Sequence, residues 1–213
     1  MKYRSRVSTV QLPPPRISFF TITYLLCASY GAWVNRNQEF LFYLAIMVIL
    51  IAAVLVVHTR VILSNGVLWG LSVWGILHMA GGLLPIPLGW SIEGESRVLY
   101  NWWLIPRYLK YDHLVHAYGF GVTTFVCWEG LTELLKSHSD PPRKPRGFGS
   151  LILCGAASLG FGALNEVVEF VATLSIPETN VGGYENTGWD LVANLVGVAL
   201  ASLIIHLRIA QVT

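Results

Sequence analysis

Tyr111-Asp112-His113-Leu114-Val115-His116 opens a long apolar stretch with three side chains that can bind a cation or move a proton. On a helix, Asp112 and His116 are four apart and share a face, and His113 and His116 are three apart. Glu166 and Glu169, three apart in a second apolar stretch, would also face one way. Asp190 and Asn194 open a third stretch, and His78 lies near the end of an earlier one. Imidazoles combined with carboxylates suit a divalent metal ion such as zinc, iron or manganese. Helices that present paired ligands inward are an established way to hold one. A metal so held could activate water for hydrolysis. Without it, His116 beside a carboxylate is a general base. The candidate metal ligands are therefore His78, Asp112, His116, Glu166, Glu169 and Asp190. The candidate catalytic groups are His116, Glu166 and Asp112, with Asn194 orienting a partner through its amide.

Each residue also has a plainer reading. His78 could bond a backbone carbonyl at a helix end. His113 points about 100° away from Asp112 around a helix, which favours a structural role. Asp112 could serve as an N-cap, and Asp190 could sit in a first turn and favour the helix dipole. Glu166 and Glu169 resist such readings best, because Gly160, Gly162 and Ala163 precede them and Val167, Val168, Phe170 and Val171 surround them. A structural pairing of Glu166 with His116 stays open. Glu129 and Glu133, near Lys136 and His138, read as a solvated helix end. The chain has no His-Glu-x-x-His pattern, Ser-centred nucleophile motif or Cys-x-x-Cys spacing.

The elements that must position these groups are membrane helices. Of 213 residues, 54% are hydrophobic and only 12% charged, against about 25% charged in an average soluble domain. Mean hydropathy is +0.57. Cys27, Cys127 and Cys154 all fall in apolar stretches, as packing residues rather than a disulfide framework. A net charge of +2 without a basic stripe excludes nucleic acid as a partner.

The fold expected is all-α: a polytopic bundle of six transmembrane helices. Residues 1–16, with Lys2, Arg4, Arg6, Arg16 and a Pro13-Pro14-Pro15 run, form a basic cytoplasmic segment, and 17–209 form the transmembrane domain. The spans are expected at about 17–34, 40–57, 67–84, 111–135, 150–174 and 189–207, each long enough for a hydrocarbon core. The second is almost purely apolar and is expected to face lipid. Gly66 and Gly70 give a weak close-packing signal. Residues 85–111 carry Trp90, Tyr100, Trp102, Trp103, Tyr108 and Tyr111, an aromatic density that fits the membrane interface as a short helix or re-entrant cap.

Ten of the 14 Lys and Arg residues fall on the side of the termini under this arrangement. Both termini are then cytoplasmic by the positive-inside rule. His78, Asp112, His116, Glu166, Glu169, Asp190 and Asn194 would all lie in the outer half of the bilayer. Agreement in depth across four helices points to one shared polar site, since ionisable groups in hydrocarbon are costly and usually functional.

The same residues carry a resemblance. Asp112 to His116, followed by Tyr118, resembles the Asp-x-x-x-His-x-x-x-Tyr-type segment of VanZ-like membrane proteins, although Tyr118 stands two positions early. Asn165-Glu166-Val167-Val168-Glu169-Phe170 is similar to their Glu-x-x-Gln segment, with Glu169 in place of Gln. Trp189 to Gly197 is similar to their Asp-x-x-x-Asn-x-x-Gly signature. The Glu-x-x-Glu variant, the histidine in the third span and the six-span length resemble most the YjdF-like inner-membrane proteins. The likeness covers about 111–205 and, less securely, 66–110. It implies a bacterial inner-membrane protein without a settled reaction. The Arg that precedes Asp-x-x-x-Asn in the wider family is missing; Tyr184, Glu185 and Asn186 stand there.

Three functional classes follow. The first is a polar, metal-binding site that acts on a lipid or lipid-linked substrate. The second is a proton- or ion-coupled transporter, which the scarcity of polar groups in the inner halves of the spans counts against. The third is a non-catalytic subunit of a larger membrane complex, with the second span and Trp69 and Trp74 as contact faces.

Overall fold

The computed structural model describes residues 11–139, 141, 145 and 147–211. Of the basic segment expected at 1–16, residues 1–10 lie outside the described residues, as do the cations Arg143, Lys144 and Arg146, and its last two residues, Pro15 and Arg16, already belong to a helix. Six long helices follow one another: α1 Pro15–Val34, α2 Gln38–Val61, α3 Asn65–Leu83, α4 Tyr111–His138, α5 Gly147–Ser175 and α6 Tyr184–Ala210. Most of their ends lie within a few residues of the hydropathy boundaries, and polar residues cap the starts of α2 and α3. Asn37 accepts the Phe40 N–H at the start of α2, and Ser64 accepts the Val67 N–H at the start of α3. Pro15 opens α1 at a position where its missing N–H costs nothing.

Five of these helices, α1, α2, α3, α5 and α6, are long and apolar enough to cross a membrane. α4 differs from the expectation of six equivalent spans. At 28 residues it is long enough, but it is not among the helices whose composition is apolar enough. The reason lies in its place. It packs against α2, α3, α5 and α6, so it has little need of lipid-facing aliphatic side chains. His113, His116, Gly119 and Thr124 are among its buried positions.

α4 and α6 make the broadest contact in the molecule. Small residues set their separation. A Cβ placed on Gly197 of α6 would collide with the carbonyl of Ala117 on α4, and one on Gly121 would lie 3.3 Å from the Gly197 oxygen. Without a hydrophobic drive between helices in lipid, such close backbone approach supplies the packing. The Gly66–Gly70 spacing contributes less: Gly70 faces Val122, while Gly66 meets only Ser64. Ser158 of α5 donates to the Phe120 carbonyl of α4 at 2.8 Å. α1 packs against α3 and α2, and its buried residues Ile17, Tyr24, Ala28 and Ala32 form a stripe with helical spacing. α2 buries Phe40, Tyr43 and Leu44 at its start, while Val48, Ile49, Leu50, Val56 and Val57 are exposed.

Residues 84–110 fold as a small cap rather than an interfacial helix. A 3-10 turn at Leu99–Asn101 precedes a hairpin of β1, Trp103–Ile105, and β2, Leu109–Lys110, which pair antiparallel. Trp90 packs against Trp102 in a tilted arrangement with ring centroids 4.3 Å apart. Asn101 and Asn180 exchange side-chain hydrogen bonds of 2.9 and 3.2 Å. The Asn180 N–H donates to Glu39 at 2.9 Å. The connector before α6 thus ties the cap to the start of α2.

Candidate functional site

The polar cluster assembles where α4, α5 and α6 meet. His116 is its centre. Its Nδ1 lies 3.1 Å from Asn194 Oδ1 and 3.9 Å from Glu166 Oε1, while its Nε2 lies 3.6 Å from Asp112 Oδ1. The ring therefore presents one nitrogen to each of two carboxylate groups. Ligand atoms of Asp112, His116 and Asp190 all lie within 4.8 Å of one another, and so do those of His116, Glu166 and Glu169. The i,i+4 and i,i+3 spacings do what helical geometry requires, and Gly162 makes room: a Cβ there would fall 2.8 Å from Asn194 Nδ2.

Asp190 and Asn194 are fully buried, and His116 is nearly so. Asn186, one turn before Asp190, donates to Asp190 Oδ2 at 2.6 Å. Asn165 donates to Glu169 Oε1 at 2.9 Å. Both oxygens of Glu166, Oδ1 of Asp190 and Nδ2 of Asn194 make no hydrogen bond among the described residues. Buried polar atoms are normally paired, so four such atoms around one imidazole are a marked departure. Four carboxyl groups in one buried cluster also call for positive charge or protons. The donor set, one imidazole with several carboxylates, suits a divalent cation.

The other expected residues fall around this centre. His78 is outside both ligand groups. It is surrounded by Phe40, Tyr43 and Tyr100, and its Nδ1 is hydrogen-bonded to the Tyr100 hydroxyl. Burial, followed by the nearby Asp112 and Glu169 carboxylates, pushes the Tyr100 phenol well above its ordinary range, so it keeps its proton. His113 stacks on Trp189 with centroids 6.1 Å apart, and its Nδ1 accepts the Lys110 N–H. Glu129 accepts the Ser64 N–H at 2.8 Å and so supports the start of α3.

Three contributors were absent from the candidates drawn from sequence. Lys110 is buried beneath the cap, pairs with Glu93 at 2.6 Å and is hydrogen-bonded to Asn186. It links the cap to the Asp190 side of the cluster. Asn186 has a visible signal, one helical turn before Asp190. Tyr100 has none beyond the aromatic density of its connector.

The pattern of the predicted membrane proteins designated DUF2238 matches residues 16–211, nearly the whole chain. The chain belongs to this family. It is the family to which the YjdF-like proteins are commonly assigned, and the match takes in all six helices, the cap and every residue of the cluster. No curated protein and no solved structure matches the chain. What this DUF2238 member does must accordingly be argued from its own residues.

Proposed function

We propose that this membrane protein holds a divalent metal ion between α4, α5 and α6 and uses it on a lipid or lipid-linked substrate. Asp112, His116 and Asp190 form one ligand group and His116, Glu166 and Glu169 the other. The observation that carries this reading is the set of buried carboxylate oxygens without hydrogen bonds, those of Glu166 and Oδ1 of Asp190, gathered around a single imidazole. A bound ion would act as a Lewis acid and lower the pKa of a water. In the absence of an ion, His116 and Glu166 are the groups placed to take a proton, with Asp112, beside Nε2, orienting the imidazole. His78 acts from outside the two ligand groups, with Tyr100 fixing its ring. Asn194 positions His116 through its amide oxygen.

The orientation that fits is both termini in the cytoplasm of a bacterium, α4 crossing the inner membrane with the other five helices, and the aromatic cap at the outer interface. The cluster then opens toward the outer leaflet, where lipid and lipid-linked molecules are the available substrates. The VanZ-like resemblance of its Asp-x-x-x-His and Asp-x-x-x-Asn-x-x-Gly segments agrees with a common polar site but assigns no reaction.

Thermal unfolding of the detergent-purified protein tests the metal. Zn2+ or Mn2+ at a hundredfold excess over its Kd should stabilise the wild type by about 2.7 kcal/mol, reversibly with a chelator, and His116→Ala should remove the effect. A wild type indifferent to both ions and to chelator, or a variant that responds equally, overturns the reading. A stabilising ion then defines the form to assay for lipid hydrolysis.

A further inference from the structure

An elongated apolar groove runs between α1, α2 and α3 and ends against α5. Its walls include Ile17, Ile51, Val54, Leu68, Leu71 and Trp74. Ile22 and Leu50 flank it and are exposed, so it opens sideways between α1 and α2. One end is different. There Tyr43, His78, Asn165 and Glu169 line it together. The Tyr43 hydroxyl is buried there, with the Glu39 side chain as its neighbour one helical turn away. Glu169 belongs at once to this end and to the His116–Glu166–Glu169 group. The groove therefore has an apolar body, a buried phenol, an imidazole and a carboxyl group at its head and a direct connection to the acidic cluster.

Its length has a natural match. From Tyr43 to Val54 the groove follows α2 for about three turns, or roughly 16 Å. Half of a hydrocarbon core is about 15 Å. A protein-sized or polar occupant would not suit such walls. A chain of methylenes would, because it exchanges contacts with neighbouring lipid tails for contacts with equally apolar walls.

We infer that the groove receives one hydrocarbon chain of an outer-leaflet membrane lipid, with the lipid's polar end held at Tyr43, His78, Asn165 and Glu169 and the chain descending toward Val54 and Leu68. The inference rests on the site reading above for the lipid's fate, and it names how the substrate is presented: laterally from the bilayer, chain first along α2, with its polar end delivered beside Glu169. Ser72 and Thr21, joined by a 2.5 Å hydrogen bond, sit midway along the wall and carry their polarity on each other rather than into the groove.

The test is photo-crosslinking of the full-length protein in vesicles of phosphatidylethanolamine and phosphatidylglycerol. The probe is phosphatidylethanolamine carrying a diazirine either near the carboxyl end or at the tip of one acyl chain. The tip probe should label Leu68 and Val54, and the head-proximal probe should label Tyr43 and the buried Tyr24. Ile51→Trp, which fills the groove, should reduce this labelling at least fivefold, whereas Ile49→Trp, on the exposed face of α2, should leave it unchanged. Labelling confined to outward residues such as Ile49 and Val56, or without regard to probe position, overturns the inference. The two wild-type probe positions decide the matter even if Ile51→Trp does not fold. Metal content measured on the same samples separates the two proposals: depth-ordered labelling without metal keeps the groove and removes the metal site, and metal without such labelling does the reverse.

Discussion

Where α4 and α6 approach most closely the facing positions are small or polar: His116, Ala117 and Gly121 on one side, Asp190, Asn194 and Gly197 on the other. Along α2 the middle of the helix is Val, Ile and Leu, and most of it faces outward. Both regions are helical and both come from a hydrophobic sequence, yet they are specified differently. In the first, backbones meet closely enough that a single Cβ is excluded, and polar side chains find partners only at one register. In the second, lipid can satisfy nearly any aliphatic side chain, so little beyond Phe40, Tyr43 and Leu44 fixes the helix in place. A groove is left on that side, and a rigid cluster is built on the other.

This contrast predicts a steep gradient in mutational cost. Gly197→Val forces α6 away from the Ala117 carbonyl and should cost at least about 3 kcal/mol, the upper range for overpacking; thermal unfolding in detergent measures it. A loss below 1 kcal/mol would mean that α4 and α6 are not locked together. Asn194→Leu removes the hydrogen bond to His116 Nδ1 and should cost about 1–3 kcal/mol, as expected when a buried partner is left unpaired. It should also weaken metal binding through a less constrained imidazole, and an unchanged metal affinity would remove Asn194 from the positioning role. Val56→Ala, on the exposed face of α2, should change stability by less than about 0.5 kcal/mol. A larger loss would show that this face is covered by another protein chain, which is what a subunit of a larger complex requires.

The same contrast explains what the sequence could reveal. Helices α1, α2, α3, α5 and α6 are legible because lipid demands long apolar runs. α4 was visible as an apolar segment, but its central position was not, since a helix enclosed by others carries fewer aliphatic residues and a weaker signal. The pairs Asp112–His116, Glu166–Glu169 and Asp190–Asn194 could be read from helical spacing. Their meeting at one point depended on agreement in depth, and the contacts at His116 join residues that spacing could only place at similar levels. His78 had the right depth and residue type, but rotation of α3 turns it into a ring of aromatics, and hydropathy carries no information on rotation. Nothing in the place of Lys110 in a connector singles it out. Its burial depends on the hairpin that folds the cap back over Asn186, a tertiary event with no periodic trace.

Elemental analysis of detergent-purified protein, wild type beside Glu166→Gln, tests the central claim most directly. Gln keeps the size of Glu166 and disturbs no hydrogen bond that its oxygens make among the described residues, so the fold should persist while a ligand charge is lost. Near-stoichiometric divalent metal is expected in the wild type, and its loss, by tenfold or more, in a variant whose melting temperature matches that of the chelator-treated wild type. Wild-type protein without metal after purification in metal-supplemented buffer would contradict the claim and leave the cluster as a protonated hydrogen-bond network.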